Sequence, residues 1–234
     1  MSSAPVFAVD AVAFDLDGTL LDTIHDLAAA VNALLAELRH APLPKDAVRA
    51  MVGKGMANLV RRAVGASRGS APDDAELALL LPRYQAIYAG ILGAHTLLFD
   101  GVIEGLARMR AEGLRLAVVT NKASRFVLPH LVRAGIADYF DVLVGGDDAR
   151  AKKPDPAPLL LVAERLGIAP SRLMMVGDSV NDTEAARAAG CPVLVVPYGY
   201  NEGRPVQDLD CDGIVASLAD VADRVRRAAD PITA

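Results

Sequence analysis

Five short apolar runs constrain this chain more than anything else in it, at residues 11–16, 114–120, 141–144, 173–176 and 192–196. Each is nearly continuous in hydrophobicity, the pattern of a strand covered on both faces, as in a parallel sheet. Between them lie amphipathic stretches at about 102–112, 123–134, 156–167 and 180–189. Gly113, Gly135, Gly167 and Gly190 each follow one of these stretches, where a helix end favours a residue tolerant of positive φ. The repeated helix–glycine–strand unit predicts a doubly wound α/β core of Rossmann-like type with right-handed crossovers. With 234 residues, 53% of them apolar, the chain is ample for such a core.

One region breaks the rhythm. Residues 22–95 show no convincing strand, only helical patterns at 26–39, 56–64 and 75–92, punctuated by Pro42, Pro44 and the Gly, Ala, Ser and Pro of 65–72. The expected organisation is a core of residues 1–21 and 96–234 with a small helical cap of 22–95 inserted after the first strand. Such an insertion sits above the carboxyl ends of the strands, the side on which these sheets bind ligands. The tail 217–229 reads as a final surface helix.

Chemistry-bearing residues collect where the apolar runs stop. The first run ends in Asp15-Leu16-Asp17-Gly18-Thr19. Residues two apart point to the same side of extended chain, so the two carboxylates share one small space and call for a cation. A polar turn accounts for one Asp and the Gly, but not for two Asp closing a buried strand. The second run ends in Thr120-Asn121-Lys122. A hydroxyl and an amide there suit phosphate oxygens, although Thr-Asn is also ordinary turn and cap chemistry. Lys152-Lys153-Pro154 follows the third run, and Gly177-Asp178-Ser179-Val180-Asn181-Asp182 closes the fourth. An acid in the first turn of a helix explains Asp182 on its own, but not Asp178 at the strand tip. In a parallel sheet these ends meet on one edge, and the joint pattern is far more specific than any member.

The four segments, in this order and spacing, resemble the haloacid dehalogenase superfamily over essentially the whole chain. The resemblance implies Asp15 as nucleophile and Asp17 as general acid/base. It implies Thr120 and Asn121 as phosphate-binding residues and Lys153 as the charge-neutralising lysine. Mg²⁺ would be bound by Asp15, the Asp17 carbonyl and Asp178, with Asp182 supporting them; an all-oxygen shell is what that ion prefers. An acid at position 17 favours phosphatases and sugar phosphomutases over dehalogenases and ion pumps. The stretches 15–23, 144–148, 152–164 and 198–203 further resemble the phosphoglycolate phosphatase branch, Asp100 standing where relatives often carry Pro. That branch implies a small substrate with a carboxylate beside its phosphate. Lys54, in Gly53-Lys54-Gly55 before the helical pattern at 56–64, is the candidate carboxylate ligand, a solvated loop charge being the alternative. Other small-metabolite phosphatases, such as one for N-acetylmuramic acid 6-phosphate, a β-phosphoglucomutase-type enzyme and a catalytically silent binding module remain open.

Composition narrows the partners. A net charge of −5 argues against a nucleic-acid groove, which needs a basic surplus. No apolar run approaches a membrane span, and the start Met1–Val6 has no leader pattern. Cys191 and Cys211 form no framework or zinc motif and read as small buried hydrophobes. His25, His40, His95 and His130 have no metal-like spacing and read as structural or surface residues, with His25 placed to face the cap opening. A cytoplasmic protein, monomeric or homodimeric and acting on a small phosphorylated metabolite, is expected.

Overall fold

The computed structural model describes residues 5–229; the expected amino-terminal stretch lies partly outside them, at residues 1–4. The strands are β1 (Phe7–Val9), β2 (Ala11–Phe14), β3 (Leu21–Asp22), β4 (Leu97–Leu98), β5 (Arg115–Val119), β6 (Val142–Val144), β7 (Leu173–Gly177), β8 (Val193–Val195), β9 (Gly213–Ile214) and β10 (Val225–Arg227). A six-stranded sheet runs in the order β6-β5-β2-β7-β8-β9, every neighbouring pair parallel. From β2 the chain winds outward through β5 and β6, then returns to β7 on the other side and winds outward again. The direction of winding therefore reverses between β2 and β7, the crevice where doubly wound sheets place their ligands.

Period-two alternation in β2 explains both layers of the core. Val12 and Phe14 face one side, with Leu106 and Met109 of α5 (Val102–Ala111), Val127 and Leu131 of α6 (Ser124–Arg133) and Leu218 of α9 (Leu218–Ala222). Ala11 and Ala13 face the other, with Leu159 and Val162 of α7 (Ala157–Leu166) and Ala185 of α8 (Val180–Ala189). Small residues on that second face let α7 and α8 pack close to the sheet.

The remaining helices are α1 (Ile24–Glu37), α2 (Lys45–Arg49), α3 (Met56–Arg68) and α4 (Asp74–Ile91). They bury a separate apolar cluster around Leu34, Leu35, Val60, Val64, Tyr84 and Tyr88. The antiparallel pair β3–β4 carries the chain out to them and back, with Leu21 opposite Leu98. Fully buried Asp26 in α1 ties the return path. It accepts hydrogen bonds from the Gly93 N–H (2.8 Å), the His95 N–H (2.9 Å) and the Thr96 hydroxyl (2.8 Å).

Four local expectations are corrected. The tail is no continuous helix: α9 stops at Ala222, and Val225–Arg227 pairs in parallel with β1, because Val225 is buried against that edge. The helix beginning at Met56 runs through Gly65 and ends only where Gly69 adopts a left-handed conformation (φ 85°), since the burial of Met56, Leu59, Val60, Ala63 and Val64 outweighs one glycine. Pro44 starts the short helix α2 where the sequence suggests only punctuation, its fixed φ (−58°) suiting a helix entry. Gly213–Ile214 adds an unexpected sixth strand at the sheet edge.

Candidate active site

Asp15 follows β2, and its N–H is bonded to the Val176 carbonyl at 2.9 Å, so it sits at the seam between β2 and β7. Gly18 then turns the chain back with φ of 96°; a Cβ there would meet Asp178 Oδ2 at 2.6 Å. Thr19 donates to Asp178 Oδ1 at 2.9 Å, joining the tip of β2 to the tip of β7. On the other side of Asp178, the Tyr200 N–H donates to Oδ2 at 2.5 Å. Tyr200 is buried, and its hydroxyl takes the N–H of Thr23 (2.8 Å) and of Ile24 (3.1 Å), which secures the entry to α1.

Asp182 serves three neighbours at once. Its Oδ2 accepts from the Ser179 N–H (3.0 Å), part of the capping box that starts α8, from the Ser179 hydroxyl (2.8 Å) and from the Asp178 N–H (3.2 Å). Its Oδ1 accepts from Lys153 Nζ at 2.6 Å. Lys153 also donates to the Val119 carbonyl (2.6 Å) and lies 3.0 Å from Asp15 Oδ1. Two of the three N–H groups of its ammonium are thus hydrogen-bonded, and Asp15 Oδ1, which has no hydrogen-bond partner, is held by the ion pair alone. Burial alone would depress the Lys153 pKa, but Asp15 and Asp182 outweigh it and hold the group charged.

The carboxylate oxygens of Asp15, Asp178 and Asp182 fall within 4.8 Å of one another. Burial pushes the Asp15 carboxyl up to about 6 against the pull of Lys153. It pushes Asp178 well above the ordinary range, reinforced by Asp182 and Asp15. Asp17 differs: burial raises it, yet Lys122, His130 and a hydrogen bond from Thr23 together outweigh that effect and the net is a lowered pKa. Four carboxylates (Asp15, Asp17, Asp178 and Asp182) thus face two buried ammoniums, Lys122 and Lys153. With all four ionised, four negative charges less two positive ones leave the charge of one divalent cation to be supplied. The donors are all hard oxygens: Asp15 Oδ1 accepts no hydrogen bond and each Asp178 oxygen accepts one, which leaves lone pairs open, whereas Asp182 Oδ2 already accepts three. The site therefore fits a hard divalent cation.

A cleft of about 440 Å³, counting space open to solvent at its mouth, lies directly above. Asp15, Asp17, Thr120, Asn121 and Lys122 form its floor, and Leu27, Val52, Met56 and Leu59 roof it. Thr120 Oγ1 accepts only the Lys122 N–H (3.3 Å), which leaves its proton available. Asn121 is placed beside the cleft, but both its amide protons are taken. They bridge the Gly53 carbonyl of the α2–α3 loop and the Lys153 carbonyl, each at 2.8 Å. Lys54 is not brought in: its ammonium lies 3.3 Å from Glu202, its side chain is 44% exposed, and it does not line the cleft.

The sequence motif that contains Lys122 assigns it no role, and the structure does. It is 1% exposed, donates to both Asp17 oxygens (2.9 and 3.1 Å) and to the Tyr88 hydroxyl (2.7 Å). Tyr88 comes from α4, so this contact joins the helical segment to the floor. His130 is buried, with Nε2 2.9 Å from Thr96 Oγ1, whereas His25 is exposed near Lys45. Cys191 is buried and Cys211 half-buried, both free. No described helix is long and apolar enough to cross a membrane.

The chain matches the haloacid dehalogenase-like hydrolase family over residues 12–196. It is 46% identical over 229 residues to the phosphoglycolate phosphatase of Thiobacillus denitrificans, covering 97% of this chain and all of that one. With the phosphoglycolate phosphatase of Nitrosospira multiformis it shares 49% identity over 219 residues, 94% of this chain and 96% of the other. Among solved structures, that of a predicted phosphoglycolate phosphatase from Haemophilus somnus superposes with a TM-score of 0.87 at 32% identity. It covers 92% of this chain and 97% of the other.

Proposed function

This chain belongs to the haloacid dehalogenase-like hydrolase family and is a phosphoric monoester hydrolase; from that premise we propose that it converts 2-phosphoglycolate to glycolate and phosphate, with Mg²⁺ held by Asp15, Asp178 and the Asp17 carbonyl. When bound, the ion supplies positive charge against the phosphoryl oxygens. The chain's own residues do the rest. Lys153 keeps Asp15 beside a permanent positive charge, easing the approach of one anion to another. The Asp15 carboxylate attacks phosphorus and the ester P–O bond breaks, giving an aspartyl-phosphate and splitting one hard displacement into two. Asp17, ionised beside Lys122 in the free site, takes up a proton as substrate binds, passes it to the departing alkoxide and later takes one from the water that opens the acyl phosphate. The Thr120 hydroxyl offers its free proton to a phosphoryl oxygen, and Asp182 holds Lys153 and the start of α8 in place.

The observation that carries this reading is the pairing of Asp15 and Asp17 on the floor of a small cleft with an apolar roof. A phosphorylated group entering there meets the nucleophile beneath apolar side chains. The reading that residues 22–95 form a separate cap over a core of 1–21 and 96–234 is part of the proposal. It is supported by the apolar cluster that α1–α4 build, to which Phe126 and Tyr200 add from the core side, and by the narrow β3–β4 connection. The test is Mg²⁺-dependent release of inorganic phosphate from a panel of phosphorylated metabolites, ranked by kcat/KM. Phosphoglycolate should head the panel; phosphate passed to a second sugar hydroxyl without release would indicate a mutase and overturn the reading.

A further inference from the structure

A leaving group with its own negative charge needs a cation in the cleft, and the structure leaves little choice of which. Lys153 is the nearer buried ammonium to the nucleophile, but it is held by Asp182, the Val119 carbonyl and the ion pair with Asp15 and does not line the cleft. Lys54 is paired with Glu202 outside the cleft. The roof offers Leu27, Val52, Met56 and Leu59 with the backbone of Gly53 and Gly55, and no charged side chain, so an unpaired carboxylate there would be costly. Lys122 is the one cation among the described residues that line the cleft. Its ammonium donates to both Asp17 oxygens, at 2.9 and 3.1 Å, and an N–H comes free for a substrate carboxylate as Asp17 turns to the ester oxygen of the leaving group. In a phosphate ester of an α-hydroxy acid, the carboxyl carbon lies two bonds beyond that oxygen. An ester oxygen at Asp17 therefore brings an α-carboxylate to Lys122. Tyr88 fixes the ammonium from the far side, through its hydroxyl at 2.7 Å and its ring face 4.8 Å from Nζ.

We propose that Lys122 selects substrates by pairing with a carboxylate on the leaving group, so that this enzyme prefers phosphate esters of α-hydroxy acids over equally small neutral ones. The proposal rests on the cleft being a phosphomonoester site, and it assigns the carboxylate to Lys122 in place of Lys54.

The experiment compares kcat/KM for 2-phosphoglycolate and for 2-hydroxyethyl phosphate, which replaces the carboxylate by a neutral alcohol, in the wild type, Lys122→Met and Lys122→Arg with Mg²⁺ present. The ratio of the two substrates in one protein is independent of the fraction correctly folded. If Lys122→Met nevertheless yields no soluble protein, Lys122→Gln is read in the same way. The wild type should favour phosphoglycolate by about 100-fold or more. Lys122→Met should bring the ratio to within about tenfold, with Lys122→Arg keeping most of the preference because it keeps the charge. An equal fall on both substrates, with the ratio unchanged, would show that Lys122 only positions Asp17, and the proposal would be wrong. A wild type that hydrolyses both substrates without preference removes the carboxylate reading and Lys122 with it. A wild type that hydrolyses neither overturns the assigned function itself.

Discussion

His130 should make this protein lose stability in mild acid, and the loss should vanish in His130→Gln. The Thr96 hydroxyl has one proton, which it gives to Asp26 Oδ2, so His130 must donate from Nε2 to Thr96. The other ring nitrogen, Nδ1, is buried with no partner. Protonating it would place a second, unsatisfied N–H and a full charge in a site that also faces the cations Lys122 and Arg133. Asp17 and Asp26 oppose this only partly. Burial, with Lys122 second, therefore lowers the pKa from 6.5 to about 4. The unfolded chain binds this proton more readily than the folded one, so stability is complete above pH 6.5 and falls as pH drops from 6.5 towards 4. That shift corresponds to about 3 kcal/mol once pH is below 4, and to about 2 kcal/mol at pH 5. The side-chain amide introduced by His130→Gln keeps a donor for Thr96 but does not titrate. Urea unfolding of both proteins at pH 7.5 and pH 5.0, at constant Mg²⁺, gives the double difference directly. If both proteins lose the same stability between the two pH values, the buried, neutral His130 is refuted.

Asp15→Asn should abolish phosphate release while leaving circular dichroism and the thermal midpoint near those of the wild type; full activity, with deamidation excluded by mass spectrometry, would sink its role as nucleophile. Gly199→Ala drives a Cβ into the side chain of Asp178, closer than two carbons can approach. Asp178 must move, and a displacement of this kind should lower kcat/KM by about 100-fold; a steady-state assay showing unchanged activity would mean the 198–200 loop yields instead. Asp26→Ala leaves two N–H groups and a hydroxyl of residues 93–96 without their acceptor. It should cost about 3 kcal/mol in urea unfolding, and a loss within experimental error would show that water replaces the carboxylate.

The core is legible because its signals are local. A strand buried on both faces must be apolar throughout, so β2, β5, β6, β7 and β8 stand out, and polar residues at their tips can only lie along one edge. Asp15, Asp17, Thr120 and Asp178 are found by that logic. Lys122 stands in the same motif, yet nothing local distinguishes a buried ammonium from a solvated one. Its burial depends on Tyr88, 34 residues earlier on a helix whose facing the sequence does not reveal. Lys54 misleads for the same reason, because its partner Glu202 is 148 residues away. β10 escapes a sequence reading because three residues with two arginines form a strand only where β1 offers an edge.

The reversal of winding between β2 and β7 also bears on how the chain comes to be active as it is made. Thr19 and Asp178, hydrogen-bonded across that seam, are 159 residues apart in the chain. Asp15 is synthesised well before the strand on its other side, which emerges only with residues 173–177. Such long-range pairing is slow to form and leaves apolar strand edges exposed meanwhile. Until β7 docks, Asp15 has neither Asp178 nor Asp182 beside it, so a nascent or truncated chain is catalytically mute. Activity in this architecture is a property of the finished sheet, and recovery of phosphate release during refolding should lag behind recovery of helical signal.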